Sequence, residues 1–126
     1  MKISIILSTA LALFTTSTSA LGTNCFGHKM CQRDGCQLSD VIAIVNRLDP
    51  NRGFGSGALL GCCGIQNKEK LCAYIQHIGT SRVVSGSEIQ RKMKELYNFG
   101  CRRCGSVALD GKDVFKGEIT VAYRPW

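Results

Sequence analysis

Eight cysteines constrain this chain more than any other feature, because they follow a segment that directs export. Lys2 precedes an apolar run over residues 3–14, and the small polar stretch TTSTSA ends at Ala20. This pattern predicts a secretory signal peptide over residues 1–20, since its apolar core is too short to span a bilayer. Exported proteins meet an oxidising environment, so the even number of cysteines predicts four disulfides.

The mature part, residues 21–126, is predicted to form one secreted, extracellular domain. The chain has 16 Lys and Arg and 9 Asp and Glu, so loss of Lys2 with the leader leaves 15 basic residues and a formal charge of +6. Such a charge favours attraction to an acidic cell surface, an anionic membrane or a negatively charged channel mouth. We expect a monomer without a transmembrane segment in its mature part.

Residue patterns predict two helices. The segment LSDVIAIVNRLDP has Ser39 as its N-cap, apolar residues at helical spacing and Pro50 as its end. The second helix is predicted between Ser85, which forms a capping box with Glu88, and Gly100. We expect its charged face to be solvated. That face carries Arg91, Lys92 and Lys94.

Strand patterns surround both helices. Two long candidates cover residues 71–78 and 115–124, and the second alternates apolar with polar residues. Shorter candidates lie near Thr23 and after Arg103, and the turn DGKD at 110–113 joins the latter to the C-terminal strand as a hairpin. Residues 50–57 are predicted as a loop. The element order predicts an α+β fold, a two-layer α/β sandwich whose antiparallel or mixed sheet carries two helices on one face.

The motif CRRC, with Cys101 and Cys104, allows three interpretations. A redox site places C-x-x-C at a helix N-terminus, whereas this pair follows a helix C-terminus. A zinc site would recruit His28, but export and the even cysteine count oppose it. The third interpretation is a disulfide framework in which the two cysteines take different partners, because residues three apart on a strand point to opposite faces. The natural partners are the spaced pair Cys25 and Cys31.

The four central cysteines are less constrained. Cys62 and Cys63 are not expected to bond to each other, since adjacent Cα atoms are about 3.8 Å apart and disulfides need about 4.4–6.8 Å. Cys36 and Cys72 are therefore each expected to bond to one of these neighbours, in either order.

Catalytic motifs are not found. The sequence has no G-x-S-x-G and no glycine-rich phosphate loop before a helix. Asp110 and Asp113 fit a turn better than an acid–base pair. Dispersed Lys and Arg residues in an exported chain also argue against nucleic-acid binding. We therefore expect a binding protein that is not an enzyme and that needs no metal or cofactor.

Five segments of the mature chain form a recognisable set: LGTNCFG at 21–27, AYIQ at 73–76, SGSE at 85–88, NFGCRRCGS at 98–106 and GEITVAY at 117–123. With them the chain resembles the KP4 family of fungal killer toxins, small secreted proteins of virally infected smuts with relatives in other fungi and in mosses. The resemblance implies a disulfide-stapled α/β sandwich with Cys25–Cys101 and Cys31–Cys104 bonds. It also implies inhibition of fungal growth through blockade of calcium channels.

The resemblance further implies a target contact from a basic residue just before a mid-chain CG, which here is Cys63 and Gly64. The position two residues before this CG holds Gly61 rather than lysine. We therefore expect other cations to make the contact. The candidates are Lys68, Lys70 and Arg52.

Two functions follow from these expectations. The first is a secreted antifungal killer toxin whose partner is a cell-surface protein such as a calcium channel. The alternative is a host-directed effector or cell-wall interaction protein that keeps the scaffold without channel activity.

Overall fold

A computed structural model of the chain describes residues 22–27, 31, 35–65 and 69–125. The predicted signal peptide at 1–20, His28 and Lys68 lie outside the described residues. The elements in chain order are α1 (Leu38–Val45), β1 (Gly53–Phe54), β2 (Leu59–Ile65), β3 (Glu69–Gln76), β4 (Val84–Ser85), α2 (Gly86–Phe99), β5 (Gly105–Ala108), a 3₁₀ helix (Val114–Lys116) and β6 (Glu118–Pro125). This is the predicted α+β class.

The main sheet contains four antiparallel strands in the order β2-β3-β6-β5. The predicted strands at 71–78 and 115–124 are present as β3 and β6 with shifted bounds. β6 begins later than expected because residues 114–116 form the 3₁₀ helix, and Gly117 then turns the chain with a φ of 124°. Glycine adopts this φ without steric cost. β5 and β6 pair as predicted, whereas the N-terminal candidate is a single bridge between Asn24 and Ser106.

Neither β2 nor the short β1–β4 pair was predicted. The sequence LLGCCGI of β2 contains two glycines, which are unfavourable in strands, and it does not alternate in polarity. Its pairing with β3 instead sets Cys62 directly opposite Cys72. β1 lies inside the predicted loop at 50–57 and pairs with β4 just before α2 begins. Tertiary contacts therefore determine these strands.

Helix α1 begins two residues earlier than predicted. Its N-cap is Gln37 rather than Ser39, and Gln37 forms a capping box with Asp40, whose Oδ2 accepts a hydrogen bond from the Gln37 N–H at 2.9 Å. The helix ends at Val45 with Asn46 as its C-cap, so the predicted end at Pro50 is also wrong. The residues between form turns.

Helix α2 has the predicted ends. Ser85 is the N-cap and its hydroxyl accepts a hydrogen bond from the Glu88 N–H at 3.2 Å. Gly100 ends the helix with a φ of 125°. The buried stripe of this helix includes Ile89, Met93 and Leu96, all fully shielded from solvent. Local sequence signals are sufficient here because both caps lie next to the helix they end.

Both helices pack on the same face of the sheet, over a row of small residues. The cross-strand row runs from Gly61 through Ala73 and Val121 to Gly105. A Cβ atom on Gly61 would lie 2.8 Å from Ile44 Cγ2 in α1, and one on Gly105 would lie 3.1 Å from Leu96 Cδ1 in α2. The missing side chains at the two ends of the row let both helices approach the sheet closely. This is the predicted two-layer arrangement.

Lys92 departs from the expected solvated face of α2. It is only 5% exposed, and its Nζ donates a hydrogen bond to the Ala108 carbonyl at 3.1 Å and lies 3.0 Å from Glu95 Oε2. The expectation that Lys92 is solvated is wrong, because the carbonyl that receives it lies at the end of β5. Neither α1, α2 nor the 3₁₀ helix, the helices of the described residues, has the length and apolarity that a membrane crossing requires.

Candidate functional site

Four disulfides connect all eight cysteines. Cys25 bonds to Cys101 and Cys31 to Cys104, which is the pairing that the family resemblance implies. The sequence did not decide which of the neighbours Cys62 and Cys63 bonds to Cys36. In the structure Cys36 bonds to Cys63, and Cys62 bonds to Cys72. A bonded cysteine offers neither a thiolate nucleophile nor a thiolate ligand. The CRRC motif therefore anchors a framework and does not form a redox dithiol.

The first two disulfides clamp the N-terminal segment against β5. Asn24 and Ser106 exchange two backbone hydrogen bonds of 2.9 and 2.8 Å beside the Cys25–Cys101 bond. Gly105 permits this approach, since a Cβ there would lie 2.6 Å from the Asn24 carbonyl oxygen. The glycine after the CRRC motif is thus needed for packing.

Arg102, inside the CRRC motif, is held in place by its surroundings. Its guanidinium lies over the Tyr97 ring, 3.9 Å from the centroid. Nη1 donates to the carbonyls of Tyr97 and Cys101, both at 2.8 Å. These contacts cap the end of α2, where a cation also interacts favourably with the helix dipole. Arg102 therefore has a structural role at the end of α2.

The structure describes two of the three sequence candidates for target contact, Lys70 and Arg52, and does not bring these two together. Lys70 lies near the start of β3, with its side-chain carbons beside Gly64 on the face away from the helices. Arg52 is exposed at the other end, next to β1, with its guanidinium 5.0 Å from the Phe54 ring centroid. The connection after β1 contacts the far end of β3, where the Ile75 N–H donates to Ala58. Five residues of strand span about 16 Å, so Lys70 and Arg52 lie far apart.

Gly61, at the position where the family resemblance implies a basic residue, faces α1. A Cβ atom there would lie 2.8 Å from Ile44 Cγ2 and 3.6 Å from Val45 Cγ2. A side chain at this position would therefore enter the interface between the helix and the sheet. A basic side chain at residue 61 would have to displace the Ile44 side chain of α1.

Replacing Gly61 by lysine is expected to lower the free energy of unfolding by about 1–3 kcal/mol, because the new side chain overpacks the contact with Ile44. Gly64→Lys is the matched control on the same strand. Gly64 is exposed, and a Cβ there would make only ordinary contacts with Lys70 carbons at 3.5 Å. Guanidinium unfolding measures both variants, and equal stability of the two would contradict this placement of Gly61.

A second group of basic residues, which the sequence patterns did not single out, meets around the 3₁₀ helix. Arg82 Nη1 donates to the Lys116 carbonyl at 3.4 Å although the residues are 34 positions apart. Phe115, the central residue of the 3₁₀ helix, is 63% exposed. Its ring contacts the His77 ring, with 5.5 Å between the two ring centroids. His77 Nδ1 lies 2.6 Å from Glu118 Oε2. The sequence signal that could have indicated this group is Asp113, a residue type that often caps helices, two positions before the exposed Phe115.

Two comparisons with known proteins identify the family of this chain. A family model described as Kp4 matches residues 7–124. The KP4 killer toxin of Ustilago maydis P4 virus is 34% identical over 112 residues, which cover 82% of this chain and 80% of the toxin. The chain therefore belongs to the Kp4 family.

Proposed function

We propose that this protein is a secreted killer toxin that inhibits the growth of competing fungi by blocking calcium channels at the cell surface. The observation that carries the proposal is the match to a killer toxin over four-fifths of both chains. Growth inhibition requires only binding from outside the cell. It is therefore compatible with the bonded state of every cysteine and with a toxin that is not an enzyme.

Secretion is supported by the disulfides. Four bonds in a chain of this length are typical of proteins that fold in an oxidising compartment and act outside the cell. The predicted leader at residues 1–20 provides the route. The bonds also supply stability that a small core cannot, which suits a protein exposed to extracellular proteases.

Channel blockade is supported by charge. The mature chain is predicted to carry a formal charge of +6, and calcium channels select their ion with rings of carboxylates. A cationic protein is drawn to such a mouth, and its exposed Lys and Arg side chains compete with calcium for the same carboxylates. Excess calcium should therefore relieve the inhibition.

The test uses purified, oxidised mature protein added to growing fungal cells. We expect growth inhibition that excess CaCl₂ relieves and that MgCl₂ at the same concentration does not. The magnesium arm is the control for simple screening, since both divalent salts reduce long-range attraction equally. Equal relief by the two salts would reject channel competition, and a lack of inhibition in every sensitive strain tested would reject the toxin proposal.

A host-directed effector or cell-wall interaction protein is the second candidate. It is favoured by the position of Gly61 under α1, which leaves this chain without the basic side chain that the family resemblance implies there. This candidate predicts that the purified protein leaves fungal growth unchanged but alters host tissue or binds isolated cell walls.

A further inference from the structure

We infer that a basic surface around the 3₁₀ helix is the face through which this protein binds its target, and that it recognises an acidic protein surface. We define this basic surface by six residues: Arg52, His77, Arg82, Val83, Phe115 and Lys116. The inference rests on the proposed function, because it names the face with which the toxin would approach a channel mouth.

Tertiary contacts bring the basic surface together from three parts of the chain. Arg82, in the segment before β4, reaches the Lys116 carbonyl at 3.4 Å. Next to it, Val83 packs on Gly53, with Val83 Cγ2 3.2 Å from where a Cβ of Gly53 would lie. Gly53 follows Arg52, whose carbonyl accepts a hydrogen bond from the Gly86 N–H at 2.9 Å. Of the two residues before β4, Arg82 thus contacts Lys116, and Val83 packs beside Gly53, the neighbour of Arg52.

Backbone hydrogen bonds hold both ends of the 3₁₀ helix that carries Phe115 and Lys116. Asp113 Oδ1 accepts a hydrogen bond from the Phe115 N–H at 2.9 Å at the start of this helix. At its end, the Gly117 N–H donates to Val114, and the Leu109 N–H donates to Gly117. Ordered side chains lose less entropy on binding, so a fixed Phe115 is better suited to recognition than a residue on a loose loop.

Exposed apolar side chains lie among the cations. Phe115 is 63% exposed and Val83 is 66% exposed, although apolar side chains of this kind are usually buried. Aromatic and arginine side chains are enriched at the centres of protein interfaces. The combination of Phe115 with Arg82 therefore resembles an unoccupied interface more than an ordinary solvated surface.

The carboxylates next to the basic surface are already engaged. Glu118 is buried and contacts His77 and Thr120, with 2.6 Å to each. Asp110 accepts hydrogen bonds from the backbone N–H groups of Asp113 and Lys112, which hold the pKa of its carboxyl below the usual value. In the parts of the chain that the structure describes, neither Arg82 nor Lys116 forms an ion pair. The Arg82 guanidinium therefore remains available to a negative partner, whereas Lys116 lies near the exposed Asp110 carboxylate, and its positive charge also helps to hold the pKa of that carboxyl below the usual value.

The geometry of Arg82 favours carboxylates of a protein over a lipid surface. A guanidinium has five N–H donors in a planar fork that matches a carboxylate. One nitrogen of Arg82 donates to the Lys116 carbonyl at 3.4 Å, which leaves its other N–H donors for a carboxylate. Binding to a lipid bilayer is instead favoured by several apolar side chains that insert into it, next to a cluster of lysines. The basic surface has only two apolar side chains.

The experiment compares binding of fluorescently labelled mature protein to protoplasts of a sensitive fungus. The test variant carries Arg82→Gln and Lys116→Gln, and the control carries Arg47→Gln and Lys94→Gln, which remove the same charge from exposed positions on the helical side. A third variant carries Phe115→Ala. We expect about a tenfold loss of affinity for the test variant, a loss for Phe115→Ala and little change for the control.

Two further arms identify the partner. Protoplasts treated with protease should lose most of the binding, and vesicles containing phosphatidylserine should bind the native protein and the test variant weakly and equally. A native-like affinity of the test variant, an equal loss in the control, or binding that survives protease and follows phosphatidylserine would each overturn the inference. Growth assays are scored separately. Binding that depends on Arg82, Lys116 and Phe115, in a protein that does not inhibit growth, would support the inference and reject the proposed function.

Discussion

Removing the Cys25–Cys101 and Cys31–Cys104 disulfides together, by changing all four residues to alanine, is expected to lower the free energy of unfolding by at least about 4.5 kcal/mol. The two bonds join residues 76 and 73 positions apart and lie close together in sequence at both ends, so only the loss of both releases the long loop in the unfolded chain. This is a large share of the roughly 5–15 kcal/mol that stabilises an ordinary domain. Guanidinium unfolding of the two proteins, with the slope checked for two-state behaviour, measures the difference.

The Cys62–Cys72 bond provides the matched control. It joins residues only 10 positions apart, and the chain-entropy model gives about 2.7 kcal/mol for such a loop. The clamp and this bond both link segments that also exchange backbone hydrogen bonds, so the comparison contrasts the release of a long loop with the release of a short one. A larger loss of stability from Cys62 and Cys72 than from the four clamp cysteines would contradict this account of the clamp.

Gly86→Ala is expected to destabilise the fold by about 3 kcal/mol, the upper end of the usual cost of overpacking. A Cβ atom on Gly86 would overlap the Asp49 carbonyl oxygen and lie 3.1 Å from Pro50 Cα. Backbone atoms cannot turn away, and hydrogen bonds from Gly86 to Arg52 and from Ser87 to Pro50 hold the segments together. Alanine is the better helix former by about 1 kcal/mol, so propensity alone predicts the opposite sign.

Gly55→Ala is the control for Gly86. No heavy atom lies within 4 Å of where its Cβ would be, and its φ is not in the left-handed region. Alanine there should leave stability unchanged or raise it by about 0.4–1 kcal/mol, through a less flexible unfolded chain. Thermal melts of the two variants show the difference directly. Equal melting temperatures of the Gly86→Ala and Gly55→Ala variants would contradict the close approach of α2 to the connection between α1 and β1.

Sequence patterns predicted those elements whose signals are local. The ends of α2 are set by Ser85 and Gly100, which act on the adjacent turns. The alternating residues of β6 likewise predict a strand with one buried face, and Ile119 and Val121 are buried there. The same kind of reasoning misplaced the start of α1, because the N-cap is Gln37, which forms a capping box with Asp40, and not the predicted Ser39.

Long-range contacts account for most of what the sequence patterns missed. β2 is a strand because β3 pairs with it, although its own residues disfavour that conformation. Lys92 is buried because the Ala108 carbonyl, 16 positions away, accepts its hydrogen bond. Charge alone predicted a solvated lysine, since a sequence does not show which carbonyl will face a given side chain.

The sequence by itself determined the chemistry that is available: eight cysteines, a basic net charge and the family resemblance carried by NFGCRRCGS, and it also predicts export. The tertiary structure decided where that chemistry lies. It placed Gly61 under α1, separated Lys70 from Arg52, and brought Arg82 to Lys116 across 34 positions. The physical reason is that composition and local signals act over a few residues, whereas strand register and helix packing decide which distant side chains share a surface.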